Sequence, residues 1–366
     1  MVSTTVVTGV SGFLGQRVVA ALVSRDRAAS VVGVDLVAPS FVDPALDFRL
    51  GDVAQAPSGG ADWLAELVRG ADAVVHLAWS HADDTGSPRD GTHGCAPNLR
   101  ALRRVLDAVA EAGSPTLVHL SSATVYGAWP DNPVPLAEDA AIRPNPGFSY
   151  AVEKAEAERM VAEWAEAHPR TRVVVLRPAA TVGWSGPPLY RALAGTGAPR
   201  PEDGGRPMQF LHVDDLASAV VFGVYGSLRG VYNVASDGWL GEDAARDLAG
   251  GVARVTLPGG LARALAAWGW QVRRSGTPKE AAPYLVHPWV VANDRLRAAG
   301  WAPAHTNEEA LVATDERSHW SDMPPSRRQE VALAVAGVGV VAAGAGLVSL
   351  ACAVAARLRR RQRDSG

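Results

Sequence analysis

The chain has 366 residues, 48% of them hydrophobic, and this is enough to bury the core of one large or two intimate domains plus an appendage. A net charge of −3 excludes a general electrostatic attraction to nucleic acid. The only two cysteines, Cys95 and Cys352, lie in segments of unlike character; this excludes a disulfide framework or a cysteine metal site and suits a reducing compartment. A β-branched run begins within three residues of Met1, so no signal or transit peptide is expected. Residues 5–8 read as a strand that runs into Gly9, Gly12 and Gly15, and a helical pattern follows from 16 to 23. Each glycine has a mechanical task around a dinucleotide pyrophosphate. Gly9 allows the sharp turn, Gly12 lets a ligand approach bare backbone, and Gly15 lets the helix pack on the strand. The N–H groups and dipole of the helix then face the phosphates.

Residues 31–35 read as a second strand ending in Asp35, 20 residues beyond Gly15, where a carboxylate accepts both adenosine ribose hydroxyls. That charge repels a 2′-phosphate, and no Arg stands at Leu36 or Val37, so the expected cofactor is NAD rather than NADP. A third strand over 47–52 ends at Asp52, placed to contact adenine. Residues 61–68 form a short amphipathic helix, and 73–78 a buried strand. A helix over 96–112 is closed by Gly113 and Pro115. The strand at 116–120 delivers Ser121-Ser122-Ala123-Thr124-Val125-Tyr126-Gly127 to its carboxyl end. A long helix spans 150–168, and a strand at 172–176 is stopped by Pro178. Alternating strands and helices predict an α/β fold with a doubly wound parallel sheet, whose ligands sit beyond the carboxyl ends of the strands. His81, Asp83, Asp84, Asp90, His93 and Cys95 crowd one loop, but their spacing matches no metal-ligand pattern, and no metal is expected.

Tyr150 and Lys154 are four apart and share a helix face. An ammonium beside a phenol favours the phenolate and lowers its pKa, making Tyr150 a general base for a secondary alcohol. Ser122, 28 residues earlier at a strand end, is placed to polarise the same oxygen.

These pieces, taken with Thr8-Gly-x-x-Gly-x-x-Gly15, Asp35, Gly51-Asp52-Val53, His76-Leu77-Ala78, Asn98 and Arg177-Pro178, resemble the extended short-chain dehydrogenase/reductase family, the NAD-dependent epimerase/dehydratase group. Phe210-Leu211-His212-Val213-Asp214-Asp215-Leu216-Ala217, Tyr232-Asn233-Val234, and Asp294 through Gly300-Trp301-x-Pro303 extend the match to about residue 315. The resemblance implies that Ser122, Tyr150 and Lys154 act together, with Lys154 also gripping the nicotinamide ribose. It implies cofactor contacts from Gly9, Gly12, Phe13, Leu14, Gly15, Asp35, Asp52, Val53, Leu77, Ala78, Arg177 and Pro178. It also implies homodimers joined through the helices at 96–112 and 150–168. Residues 1–178, with 207–235 returning, would form the NAD-binding Rossmann domain, and 179–206 with 236–320 a smaller substrate domain.

Two departures narrow the chemistry. Sugar dehydratases of the family carry an Asp-Glu pair where this chain has Ala123 and Thr124, which cannot supply elimination acid and base. Nucleotide-sugar epimerases usually carry an Arg where Met208 stands, followed here by Gln209, and Arg206 is the nearest substitute for holding a diphosphate. Trp79, Trp129 and Trp184 each follow a core strand or the catalytic turn and are expected to rim the cleft beside Thr124, an indole wall suited to a sugar face or a lipophilic substrate.

After a linker at 321–330 containing Pro324-Pro325, residues 331–356 form an uncharged run of 26, long enough to cross a bilayer. Arg327 and Arg328 precede it and a basic tail, 357–366, follows. The expectation is a cytoplasmic catalytic domain anchored at the membrane by a C-terminal hydrophobic helix. The competing reading is a membrane-tethered, non-catalytic NAD sensor or assembly subunit.

Overall fold

The computed structural model describes residues 4–55, 62–80, 97–182, 200–201, 206–248, 256–257, 281 and 283–313. Strand β1 (Thr4–Thr8) leads into helix α1 (Phe13–Arg25), followed by β2 (Ser30–Asp35), β3 (Leu46–Leu50), α2 (Trp63–Val68) and β4 (Ala73–His76). Then come α3 (Pro97–Ala112), β5 (Thr116–Leu120), a 3-10 turn (Ala123–Tyr126), α4 (Ser149–Ala167), β6 (Arg172–Pro178) and β7 (Ala180–Val182). The later elements are β8 (Arg200–Pro201), β9 (Pro207–Met208), β10 (Phe210–His212), α5 (Val213–Tyr225), β11 (Gly230–Val234), β12 (Leu240–Gly241), α6 (Glu242–Leu248) and β13 (Thr256–Leu257). Three short helices close the described chain, α7 (Pro283–Val286), α8 (Asp294–Ala298) and α9 (Asn307–Val312).

Seven strands form one parallel sheet in the order β11-β6-β5-β4-β1-β2-β3. The order reverses between β1 and β4, and this opens a crevice at their carboxyl ends. Strand residues alternate between two apolar layers. Val6, Val74, Leu117 and Val173 face α2, α3 and α4, meeting Leu64, Leu102, Val105 and Val161. Val7, Val75, Val118 and Val174 face α1 and α5, meeting Val18, Leu22, Val220 and Val221. Both faces being covered explains why these strands read as near-continuous apolar runs.

Two bounds differ from the sequence reading. The third strand stops at Leu50, where its pairing with Asp35 ends, so Asp52 sits in the following turn. Pro178 does not stop β6 but is its last residue, where the missing N–H costs no ladder bond. In the segment 207–235, β11 joins the main sheet and α5 covers its face beside α1, while β10 pairs with β7 in a separate two-stranded ladder. Among the described residues no helix is long and apolar enough to cross a membrane. The run 331–356, its linker and the basic tail lie outside the described residues, as do Trp184, Cys95 and the His/Asp-rich loop at 81–95.

Candidate active site

The dinucleotide loop is built by steric necessity. Gly9 has φ +79, and a Cβ there would stand 2.6 Å from the Ala78 nitrogen; one on Gly15 would stand 2.4 Å from the Gly9 and Val10 carbonyl oxygens. Packing therefore forces both glycines. Gly12 differs. It is exposed, and a Cβ would meet only the Gly9 oxygen at 3.4 Å, so the protein itself leaves that space open. Helix α1 begins at Phe13 and Leu14 with no side-chain cap and no acid in its first turn, leaving its first N–H groups to a ligand. The Asp35 carboxylate is oriented at the rim of this loop by the Ser11 N–H (2.9 Å) and the Leu36 N–H (2.7 Å). Asp52 accepts from the Ala54 N–H at 2.8 Å, with Val53 buried between them. Bare backbone, free helix N–H groups and a fixed acid beyond them fit a dinucleotide.

At the opposite lip, Ser122 precedes the 3-10 turn. Its Oγ accepts from the Thr124 N–H at 3.2 Å and from the Thr124 hydroxyl at 2.9 Å. Two donors on one oxygen leave the Ser122 proton to point elsewhere, and the Tyr150 hydroxyl is its hydrogen-bonding neighbour. Thr124, expected at the substrate, is fully buried with its side chain committed to Ser122. Lys154 is buried one turn beyond Tyr150; its Nζ donates to the Leu120 carbonyl at 2.8 Å and stands 5.9 Å from the centre of the Tyr150 ring. Ser122, Tyr150 and Lys154 thus meet beyond the carboxyl end of β5.

Burial reverses the charge logic read from sequence. Burial pushes the Tyr150 phenol up to about 12, with the Ser122 hydrogen bond acting against it. Burial brings the Lys154 ammonium down to about 7, opposed by Glu158 and Glu153. The lysine charge lies too far from the phenol to outweigh desolvation of an enclosed hydroxyl.

Under this trio lies a buried polar layer that the sequence reading missed. Glu158 takes the Arg177 Nε at 2.9 Å and Nη2 at 2.5 Å, and the Ser121 hydroxyl also donates to it. Arg177 continues to the Tyr126 hydroxyl at 2.7 Å, which donates to Asn233 at 2.8 Å. Arg177 was expected at the cofactor, but its guanidinium is enclosed in this pair and only the backbone of Arg177 and Pro178 remains at the strand end. Glu158, four residues beyond Lys154 and on its face, was the available signal. On the neighbouring strands His76 and His119 stack at 5.8 Å, both buried and uncharged; burial, then Lys154, brings His76 down to about 3. Thr8 shares a 2.8 Å hydrogen bond with His76. Asn98 on α3 binds both the backbone of Ser80 (2.9 and 3.0 Å) and the Glu153 carboxylate on α4 (3.0 Å), fastening the Leu77-Ala78 segment to the catalytic helix.

The substrate side departs further from expectation. Of the three indoles expected at the cleft, Trp184 lies outside the described residues. Trp79 covers the Lys154 ammonium at 3.6 Å from ring centre, and Trp129 donates its N–H to the Arg143 carbonyl at 2.7 Å. Another aromatic group stands there instead: Tyr284 donates to the Thr124 carbonyl at 2.7 Å and packs on Phe148 and Trp289, while Phe148 meets Tyr150. A small pocket is lined by Ala180, Met208, Phe210, Trp289, Gln209 and Arg206, among others. The Arg206 Nε donates to the Leu285 carbonyl at 2.6 Å, and the Gln209 amide is fully engaged by the backbone of Val291 and Gly238. Among the described residues no group of three His, Cys, Asp or Glu is placed to hold a metal.

A parallel sheet in this order, a glycine loop at its first turn and a Ser, Tyr and Lys at its carboxyl edge define a Rossmann dinucleotide-binding protein. Residues 5–235 match the model of the NAD dependent epimerase/dehydratase family, and the chain belongs to that family, whose cofactor is NAD. An uncharacterised protein of Mycobacterium tuberculosis is 28% identical over 316 residues, covering 83% of this chain and 81% of that protein. A 3-diazoavenalumate denitrifying reductase of a Streptomyces species is 35% identical over 213 residues, 55% of this chain and 65% of that enzyme. The fold superposes on the NAD complex of Thermus thermophilus UDP-glucose 4-epimerase with a TM-score of 0.61, covering 85% of this chain and 97% of that one at 22% identity.

Proposed function

We propose that the protein is an NAD-dependent oxidoreductase or epimerase acting on a secondary alcohol or ketone, with a sugar-like or lipophilic small-molecule substrate. The observation that carries this reading is the meeting of Ser122, Tyr150 and Lys154 beyond β5, with Ser122 held by Thr124 as a hydrogen-bond donor. NAD, when bound, supplies the hydride acceptor and donor. Gly9, Gly12, Gly15, Asp35 and Asp52 hold it; Tyr150 exchanges the hydroxyl proton, Ser122 donates to the same oxygen, and Lys154 contributes a positive charge that favours the phenolate. Ala123 and Thr124 disfavour dehydration, since neither transfers a proton as a carboxyl group does.

We assign the uncharged run 331–356 to a membrane anchor holding the catalytic domain on the cytoplasmic side, and α3 and α4 to a homodimer contact. Fractionation tests the anchor: the full chain sediments with membranes and a truncation after Pro325 stays in solution. Mass spectrometry of co-purified ligand, followed by NAD-linked turnover of the alcohol it identifies, tests the reaction. Failure of any alcohol or ketone to turn over would return the protein to the non-catalytic, membrane-tethered reading.

A further inference from the structure

A chain that is otherwise almost free of lysine keeps one at the centre of its site. Lys154 and Lys279 are the only lysines among 35 Lys and Arg residues. Arginine serves wherever a permanent charge suffices, whereas a lysine ammonium is a compact point charge that can lose its proton. Burying such a charge demands compensation. One N–H of Lys154 goes to the Leu120 carbonyl. The face of the group is covered by Trp79, whose ring centre lies 3.6 Å from Nζ, far closer than the 5.9 Å to Tyr150. An indole is the strongest aromatic partner for a cation, and its attraction grows when water is excluded.

Trp79 is also mechanically tied to both ligand-binding elements. Its neighbour Ala78 is the residue against which Gly9 packs. Its other neighbour, Ser80, is held by Asn98, which reaches Glu153 beside Lys154. The indole therefore stands between the dinucleotide loop and the catalytic helix.

We propose that Trp79 is a positioning residue whose indole face is the seat of the Lys154 ammonium, keeping it charged and aligned between Leu120 and Tyr150. The inference rests on Lys154 belonging to the reacting set, but its test needs no turnover. Other groups that act on Lys154 are Glu153, Glu158 and Tyr150 on α4, His76 on β4, His119 on β5, and Arg177 on β6 through its pair with Glu158. All of them are left in place by a change at position 79.

With 13C-labelled lysine the full-length protein gives two ε-carbon resonances, and Lys279→Arg assigns the one from Lys154. Its titration midpoint in the unliganded wild type is expected at about 7. In Trp79→Leu the midpoint falls by about one pH unit, because the charged form loses its aromatic partner in a site that remains dry. If the indole only fills space, the smaller side chain admits water and the midpoint rises; a rise or no change overturns the proposal. Trp79→Phe keeps an aromatic face and moves the midpoint less than Leu does; equal falls in both variants also overturn it. A fall in Trp79→Leu in a protein that turns over no alcohol leaves the seat standing and removes the proposed reaction. Turnover with an unmoved midpoint does the reverse.

Discussion

The two halves of the sheet hold their ligand-facing groups by opposite means. On the β1–β3 side the working parts are backbone: two glycines forced by contact with Ala78, Gly9 and Val10, a third left open, and helix N–H groups without a side-chain cap. On the β4–β6 side the working parts are side chains, set over a buried layer in which Glu158, Arg177, Tyr126 and Asn233 hold one another from four different segments. Backbone cradles are specified locally and tolerate any neighbour that leaves the turn intact. A side-chain layer is specified by residues far apart in sequence, and each member depends on the others being present.

The sharpest way to break this comparison is at the proton. Tyr150→Phe removes the acid–base group without touching the cradle, so steady-state turnover should fall at least about 100-fold while calorimetric NAD affinity stays within about twofold. A variant retaining a tenth of the wild-type rate would show that the catalytic half works by other residues. Next comes the layer itself. Glu158→Gln leaves the Arg177 guanidinium buried without its counter-charge and should cost about 3–5 kcal/mol in denaturant unfolding. A loss under 1 kcal/mol would mean that water reaches this pair.

The glycines sharpen the contrast. Gly15→Ala drives a Cβ to 2.4 Å from two carbonyl oxygens and should destabilise the fold by about 1–3 kcal/mol. Gly12→Ala meets only one atom, at 3.4 Å, so its melting temperature should hold while NAD affinity drops about tenfold or more. Equal thermal losses in the two would erase the distinction between a glycine kept for packing and one kept for a ligand. The smallest effect concerns cofactor choice. Asp35, fixed by Ser11 and Leu36, should favour NAD over NADP by about 1–3 kcal/mol in paired titrations. Parity between the two cofactors would remove Asp35 from that role.

How far the sequence could be read follows the same division. Periodicity placed the strands and helices, and the glycine spacing with Asp35 placed the cradle, because both are encoded within a few residues. Ser122, Tyr150 and Lys154 were legible as types and spacings. Their electrostatics were not, because Tyr150 is governed by burial, which no local pattern reports. The Arg177 guanidinium was hidden from the sequence for a related reason: its partner Glu158 is near only through the packing of α4 on β6. Trp79, Trp129 and Arg206, expected to face substrate, also have protein partners in Lys154, Arg143 and Leu285 that no local pattern reports. The group that does stand over the catalytic turn, Tyr284 with Trp289, comes from a segment some 160 residues further on.

That last contact has a bearing on how such a protein can diverge. Tyr284 grips the catalytic turn through the main-chain oxygen of Thr124, not through its side chain. A bond to a carbonyl is indifferent to which amino acid supplies it. The dock of the later segment therefore does not depend on the side chain at 124, whose own bond runs to Ser122. Descent can rewrite the chemistry at this position without first having to redesign the lobe that closes over it.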